Sequence, residues 1–460
     1  MISKNELQLL LNKGLATGAD FAEIFLEDAT KRVMTSVGGQ IINASTNNVF
    51  GVGIRIIQGV DEVYGFTNDV NFKSLEKLIV DLASSFKGPK KECVPLGEPK
   101  PFKVYAKKLP ALVKPKLKAE KLMNLSNIIK NHDPRIVQAV ANLLEDEQKV
   151  LICNSKGTYQ DDFRVRTRVA LAAYAQDEKG MVDAFEGPGR SCGFELFNLI
   201  DLEEIAKTVA ERAIGALAAD DIVSQKMPVV LHNGFGGVIF HEACGHPLEA
   251  TSVAKGLSVF ANRVGEKVGS DILSAYDDGT IKGEWGFQNF DDEGNPTKKN
   301  VLIENGVLKG YLVDYRNGIK MKYAPTGSSR RQSYKFSPTS RMTTTYIANG
   351  TDTFEDIIKD TKYGLFAAHL GGGQVNPATG EFNFAVSEGY MIENGKLTKR
   401  VRGAMLIGQG KDILYKIDRI ANNLSISQGM CGSLSGALPV DVGQPTIRVT
   451  EITVGGGGKE

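Results

Sequence analysis

Apolar positions along this chain follow two periods, and the switches between them mark its elements. Leu7, Leu10, Leu11 and Leu15 recur at helical spacing, so residues 3–18 are predicted to form a helix. From Phe21 to about Thr67 the period drops to two. The runs VMTSV, VFGVGIRII and EVYGF, separated by GG, NN and QG turns, read as neighbouring strands. Residues 72–86 return to helical spacing. The same order then recurs: a helix at 118–131, a strand meander over 136–177, and an amphipathic helix at 201–219 opened by Asp201. The pieces SVGGQIINASTNNVFGVGIRII and CNSKGTYQDDFRVRTRVAL share a glycine turn, a strand, a polar break and a longer strand. That shared rhythm suggests a distant internal duplication.

From Met227 the character changes. A buried strand, MPVVLH, passes through the turn NGFGG into VIFHEACGHPLEA, and many short strands with glycine-rich turns follow. Residues 353–361 are one of the few helical pieces there. Helices and strands segregate rather than alternate, which predicts an α+β fold instead of a doubly wound parallel sheet. The expected domains are an N-terminal α+β module (1–88), a Pro/Lys-rich linker (89–117), a second α+β module (118–225) and a β-rich C-terminal domain (226–460) carrying the metal-site helix. The six prolines from Pro89 to Pro115 favour an extended linker. Its lysines lack interleaved aromatic residues and read as a solvated connector rather than a nucleic-acid tail.

Composition narrows the function. Lys+Arg number 55 and Asp+Glu 54, a net charge of +1, which argues against nucleic acid as main partner. The five cysteines are odd in number and scattered, so no disulfide framework fits. The N-terminus lacks a signal-peptide core, and no segment reaches the apolar length of a membrane span. A cytoplasmic protein is the expectation.

The chemistry concentrates in His241-Glu242-Ala243-Cys244-Gly245-His246. Imidazoles bind zinc and an adjacent Glu polarises a water, the combination used by zinc hydrolases. The spacing, however, is HExxxH. On an α-helix, residues four apart are separated by about 40° but residues five apart by about 140°, too far to share one ion. Gly245 tolerates unusual backbone conformations. Pro247 cannot donate to the carbonyl of Ala243 and disfavours α geometry at His246. A widened, π-type turn or break at 243–247 is therefore expected, bringing His246 onto the face of His241. A third ligand is needed, and His232, Cys244, Glu249, His369 and Cys431 are all candidates by chemistry.

The blocks HEACGHPLEA, TGSSRRQSYKFSPTSRMTTTYIANG, GGGQVNPATGEFNFAVSEGYMIENGKL and MCGSLSGALPVDVGQPTIRV, in this order, resemble the TldD/PmbA family of peptidases, historically labelled modulators of DNA gyrase. The intact zinc motif, which the PmbA (TldE) branch lacks, places the resemblance with the TldD branch. The resemblance implies one zinc ion per chain held by His241, His246 and Cys431, with Glu242 as general base. It implies an enclosed site acting on unfolded peptides, and a homodimer or a heterodimer with a TldE/PmbA-like partner. It implies no direct binding of nucleic acid.

Further substrate contacts are open. Gly371, Gly372 and Gly373 precede strand-like text and would let a peptide pair with that strand, or they form an ordinary turn. Arg330 and Arg331 would hold a peptide carboxylate or bridge a neighbouring domain. NGFGG lacks the GxGxxG and GK[ST] patterns of nucleotide sites. The competing functional class is a non-enzymatic regulatory or binding protein with a closed, structural zinc site, in which Cys244 or His232 would be the fourth ligand.

Overall fold

A computed structural model of the chain describes residues 2–457 except 179, 377 and 378. Helix α1 (Lys4–Gly14) starts with a closed capping box. The Ser3 hydroxyl accepts the Glu6 amide, and the Glu6 carboxylate accepts the Ser3 amide. Its buried face is Leu7, Leu10 and Leu11. Strands β1 (Phe21–Val37), β2 (Gln40–Gln58) and β3 (Asp61–Thr67) follow, then α2 (Phe72–Ala83). A second set repeats the order: α3 (Pro115–Lys130), β4 (Ile136–Asn154), β5 (Tyr159–Asp177), β6 (Gly180–Glu186) and α4 (Leu202–Leu217).

The two sets share one sheet of order β3-β2-β1-β4-β5-β6. Antiparallel pairing of β1 with β4 joins them edge to edge. Two like units, related by a half-turn between β1 and β4, are the arrangement that a duplicated helix–meander–helix would give. The proline-rich stretch between them is extended but tied down. The amides of Cys93, Leu96 and Lys100 donate to Asn12, Gln8 and Gln160 side chains.

The C-terminal region holds β7 (Gln225–Leu231), β8 (Ala275–Asp278), β9 (Lys299–Glu304), β10 (Thr344–Ile347), β11 (Tyr363–Val375), β12 (Glu381–Glu393), β13 (Met405–Gln409), β14 (Ser425–Ser433), β15 (Gly436–Gln444) and β16 (Ile447–Gly455). In one sheet β11, β7, β16, β13 and β12 pair in turn, and β12 pairs back with β11 to close a barrel. The other sheet runs β9-β8-β10-β15-β14. The molecule is α+β, with paired helix–sheet units ahead of a β-rich region.

One apolar core joins the barrel to the segment that follows β7. It contains Leu231, Leu370, Phe382, Phe384 and Leu406 from the barrel with Ile239, Phe240, Ala243 and Cys244 from that segment. The metal-motif helix is thus wedged between the barrel and the second sheet. The glycines of NGFGG make this approach possible. A Cβ on Gly237 would sit 2.6 Å from the Gly443 carbonyl oxygen, so they serve close packing on β15.

Candidate metal centre

Residues Val238–Phe240 are α-helical, His241–Gly245 form a π-turn, and His246–Leu248 tighten into a 3₁₀ turn. The His246 amide donates to the carbonyl of His241, five residues back. That widening brings side chains five apart onto one face. The two imidazole rings lie 5.1 Å apart between centroids. The expected turn forms, and of the reasons for it only the missing N–H of Pro247 holds. Gly245 has φ −60° and His246 φ −59°, both ordinary right-handed values. Gly245 is needed for space, since a Cβ there would lie 2.2 Å from the Met342 sulfur. Pro247 contributes through its missing N–H.

Strand β14 supplies Cys431, which pairs with Leu438 across the β14–β15 hairpin. Its sulfur lies 3.1 Å from His246 Nε2. One donor atom from each of His241, His246 and Cys431 falls within 4.8 Å of the others. Two imidazoles and a sulfur are a donor set suited to a borderline-soft divalent ion. His241 Nδ1 is buried with no hydrogen-bond partner, a state that a bound ion or its shell would relieve. The residues therefore fit a metal.

The electrostatics point the same way. Burial opposes the Cys431 thiolate, but hydrogen bonds and charge from His241 and His246 outweigh it and bring the pKa down to about 4. For His246, burial opposes the charged ring while Glu249 and Cys431 raise its pKa. Glu249 Oε2 sits 3.0 Å from His246 Nδ1. That contact leaves Nε2 for the site, as a carboxylate behind a ligand imidazole does. Arg341 backs both sides. It lies 3.8 Å from Glu249 and donates to the carbonyls of Cys431 and Gly436. Arg341 escapes notice in the sequence because its role depends on strand pairing. Glu242 is partly exposed, with Oε2 3.7 Å from His246 Nε2, beside the donor set and outside it.

The other ligand candidates lie elsewhere. Cys244 is buried, with its sulfur toward the Gly410 carbonyl, and burial pushes its thiol pKa up. His232 meets Thr446 and packs edge-on against Phe354 and Phe366. His369 meets Ser387 and Glu186. Among the described residues, neither Cys244 nor His232 joins the three donors as a fourth. Gly371, Gly372 and Gly373 lie on β11. Gly373 pairs with Phe384 of β12, Gly371 and Gly372 stand in a bulge of that pairing, and β7 pairs only with Leu365–Ala367. Arg330 is fully buried and donates to the carbonyls of Met342 and Pro439. Arg331 is buried against Glu23 of β1, bridging the two regions of the molecule.

Three family models match the chain: PmbA/TldA metallopeptidase domain 1 over residues 22–85, the central domain over 108–217 and the C-terminal domain over 224–456. A metalloprotease TldD homolog of Haemophilus influenzae is 34% identical over 449 residues, covering 95% of this chain and 93% of that one. A metalloprotease of Methanocaldococcus jannaschii is 31% identical, covering 97% and 99%. The fold resembles that of TldE from Thermococcus kodakarensis, with a TM-score of 0.76 at 20% identity over 98% of this chain and 100% of that one.

Proposed function

The chain belongs to the PmbA/TldD metallopeptidase family, and from that premise we propose that it hydrolyses unfolded peptides at one zinc ion per chain held by His241, His246 and Cys431. The convergence of these three donors within 4.8 Å, with the Glu242 carboxylate just outside them, carries the reading. Zinc bound there would supply Lewis acidity, lowering the pKa of a water and drawing charge from a peptide carbonyl. Glu242 takes the proton of the attacking water and returns it to the leaving amine. Glu249 holds the His246 ring. His241 and Cys431 are 1% and 5% exposed, a depth that an extended chain reaches more readily than a folded domain. An extended substrate also suits strand addition at Gly371–Gly373.

The five cysteines are all free and buried, in keeping with a reducing cytoplasm. Among the described residues, no helix is long and apolar enough to cross a membrane. We place a partner, a second copy or a TldE-like chain, on the exposed end of the β1–β2 hairpin, where Ile42 and Phe50 are 64% and 52% exposed. Light scattering that gives a monomer with full activity would remove this assembly.

The central test measures zinc content and hydrolysis of an unstructured peptide on the same preparations of wild type and Glu242→Gln. Wild type should carry about one zinc per chain and lose activity to a chelator. Glu242→Gln should keep fold and metal while hydrolysis falls roughly 100-fold or more. Full activity in Glu242→Gln would sink the assignment of the base. Loss of its metal would make Glu242 a ligand.

A further inference from the structure

A cavity of ≈ 220 Å³ lies between the N-terminal sheet and the β14–β15 hairpin, and Met430, the neighbour of Cys431, forms part of its wall. Its charges do not balance. Half of the charged groups of the wall have ion-pair partners: Arg32 pairs with Glu147, Arg164 with Asp162 and Asp292, Arg331 with Glu23, and Glu145 with Lys118. Arg166 and Arg330 have none of this kind among the described residues. Arg166 donates to the carbonyls of Trp285 and Phe287, and Arg330 to those of Met342 and Pro439.

Both guanidiniums are buried, and the cost shows. Burial, then the neighbouring Arg164, lowers the pKa of Arg166 to about 10; burial, then Arg166, lowers that of Arg330 to about 9. Arg330 Nε and Gln288 Oε1 are buried without hydrogen-bond partners, and both residues line the cavity. Lys31 adds a further cation to the wall, and Asp146, which Lys31, Arg166 and Arg164 act on through charge, is the one acid of the wall with no ion pair within 4 Å among the described residues. Burial raises the Asp146 carboxyl pKa, which weakens it as a counterion. Val33, Leu144, Trp285, Met430 and Leu438 give the wall its apolar part, beside Gln148, Gln288 and Gln332.

We infer that this cavity binds a carboxylate attached to an apolar group of about one amino-acid residue, the chemistry of the last residue of a peptide. The carboxylate meets the Arg166 and Arg330 guanidiniums, as planar two-point donors do best. The apolar group lies against Trp285 and Leu438. The naming of a peptide end rests on the peptide-hydrolysis reading; the carboxylate chemistry does not.

Trp285 is the chain's only tryptophan, so intrinsic fluorescence reports on this wall directly. The experiment titrates the full-length protein with N-acetyl-leucine, N-acetyl-leucinamide and sodium acetate, each with and without chelator. N-acetyl-leucine should change the signal saturably, with affinity at least about 10-fold better than either other probe, a difference of one charge-assisted contact. Chelator should leave this binding in place. Arg330→Gln and Arg166→Gln should abolish it. Met430→Glu, at a position 53% exposed and so tolerant of charge, should abolish it by repulsion. An equal response to the amide overturns carboxylate recognition, and an equal response to acetate overturns the apolar wall. A response that needs metal belongs to the metal centre and overturns the site, as does no saturable response up to tens of millimolar. Turnover is not read, so failure of the peptidase reading leaves this result standing, and the reverse holds too.

Discussion

Glu249 touches none of the reacting atoms in the proposed reaction, yet it determines which nitrogen His246 offers. Its carboxylate meets Nδ1 at 3.0 Å while Nε2 faces Cys431 at 3.1 Å. Removing it frees the ring to rotate and to change tautomer. Glu249→Ala should weaken zinc binding about 10- to 100-fold, and Glu249→Gln, which keeps an acceptor oxygen, should weaken it less. Competition with a chromogenic chelator measures both. Equal affinity in Glu249→Ala and wild type would show that the ring is held by packing alone. Single residues were unevenly legible in the sequence. His241, Glu242 and His246 stand together in one hexapeptide and announce a metal site. Cys431 comes from a hairpin far along the chain, so chemistry alone left it one of five candidates, and family resemblance singled it out. Glu249 was visible as a carboxylate, but its role behind the ring needs the geometry of the turn that follows His246.

The π-turn makes HExxxH usable, and the reason for its glycine is found outside the turn. Gly245 sits against Met342, two residues before β10, leaving 2.2 Å between the Met342 sulfur and the place a Cβ would take. Gly245→Ala must displace that thioether or the turn. Overpacking of this kind costs about 1–3 kcal/mol, and the flexible methionine should place it at the lower end. Met342→Ala should cost stability alone through the cavity it opens, but should offset part of the Gly245→Ala loss when combined with it. A double-mutant cycle in urea tests this. Strict additivity would mean that Gly245 is required for its backbone after all. The turn itself was legible, because Pro247 withholds a hydrogen bond wherever it sits. Its glycine was misread as a conformational requirement, since a contact with a side chain of a distant segment leaves no local signature. Helices α1 and α4 were legible for the opposite reason: the leucine spacing of α1 and the cap of α4, Asp201, which acts within three residues, are local.

At the scale of the whole molecule, the N-terminal sheet is tied to the C-terminal region by a buried ionic cluster. Glu23 of β1 accepts from Arg55 of β2 and from Arg331, and Arg55 also binds Glu293 at 2.7 Å. Arg164 of β5 reaches Asp292 at 2.7 Å. None of this was readable from the order of elements, because its partners are scattered from β1 to the segment before β10; only a bridge at Arg331 was foreseen, as one of two options. A buried pair adds little net stability over an apolar substitute, but breaking it leaves uncompensated charge. Glu23→Ala leaves Arg331 without its carboxylate and Arg55 with Glu293 and Glu62 only, and a loss of about 3–5 kcal/mol is expected. The loss falls on the joint, since Glu23 is the group common to both arginines. Wild type should therefore melt in one calorimetric transition, and Glu23→Ala should melt earlier and in two, the N-terminal sheet separating from the barrel. Zinc should raise the later transition only, because His241, His246 and Cys431 all lie in the C-terminal region. Two transitions already present in wild type would mean that the cluster does not couple the regions. A zinc-dependent shift of the earlier transition would mean that coupling survives without it.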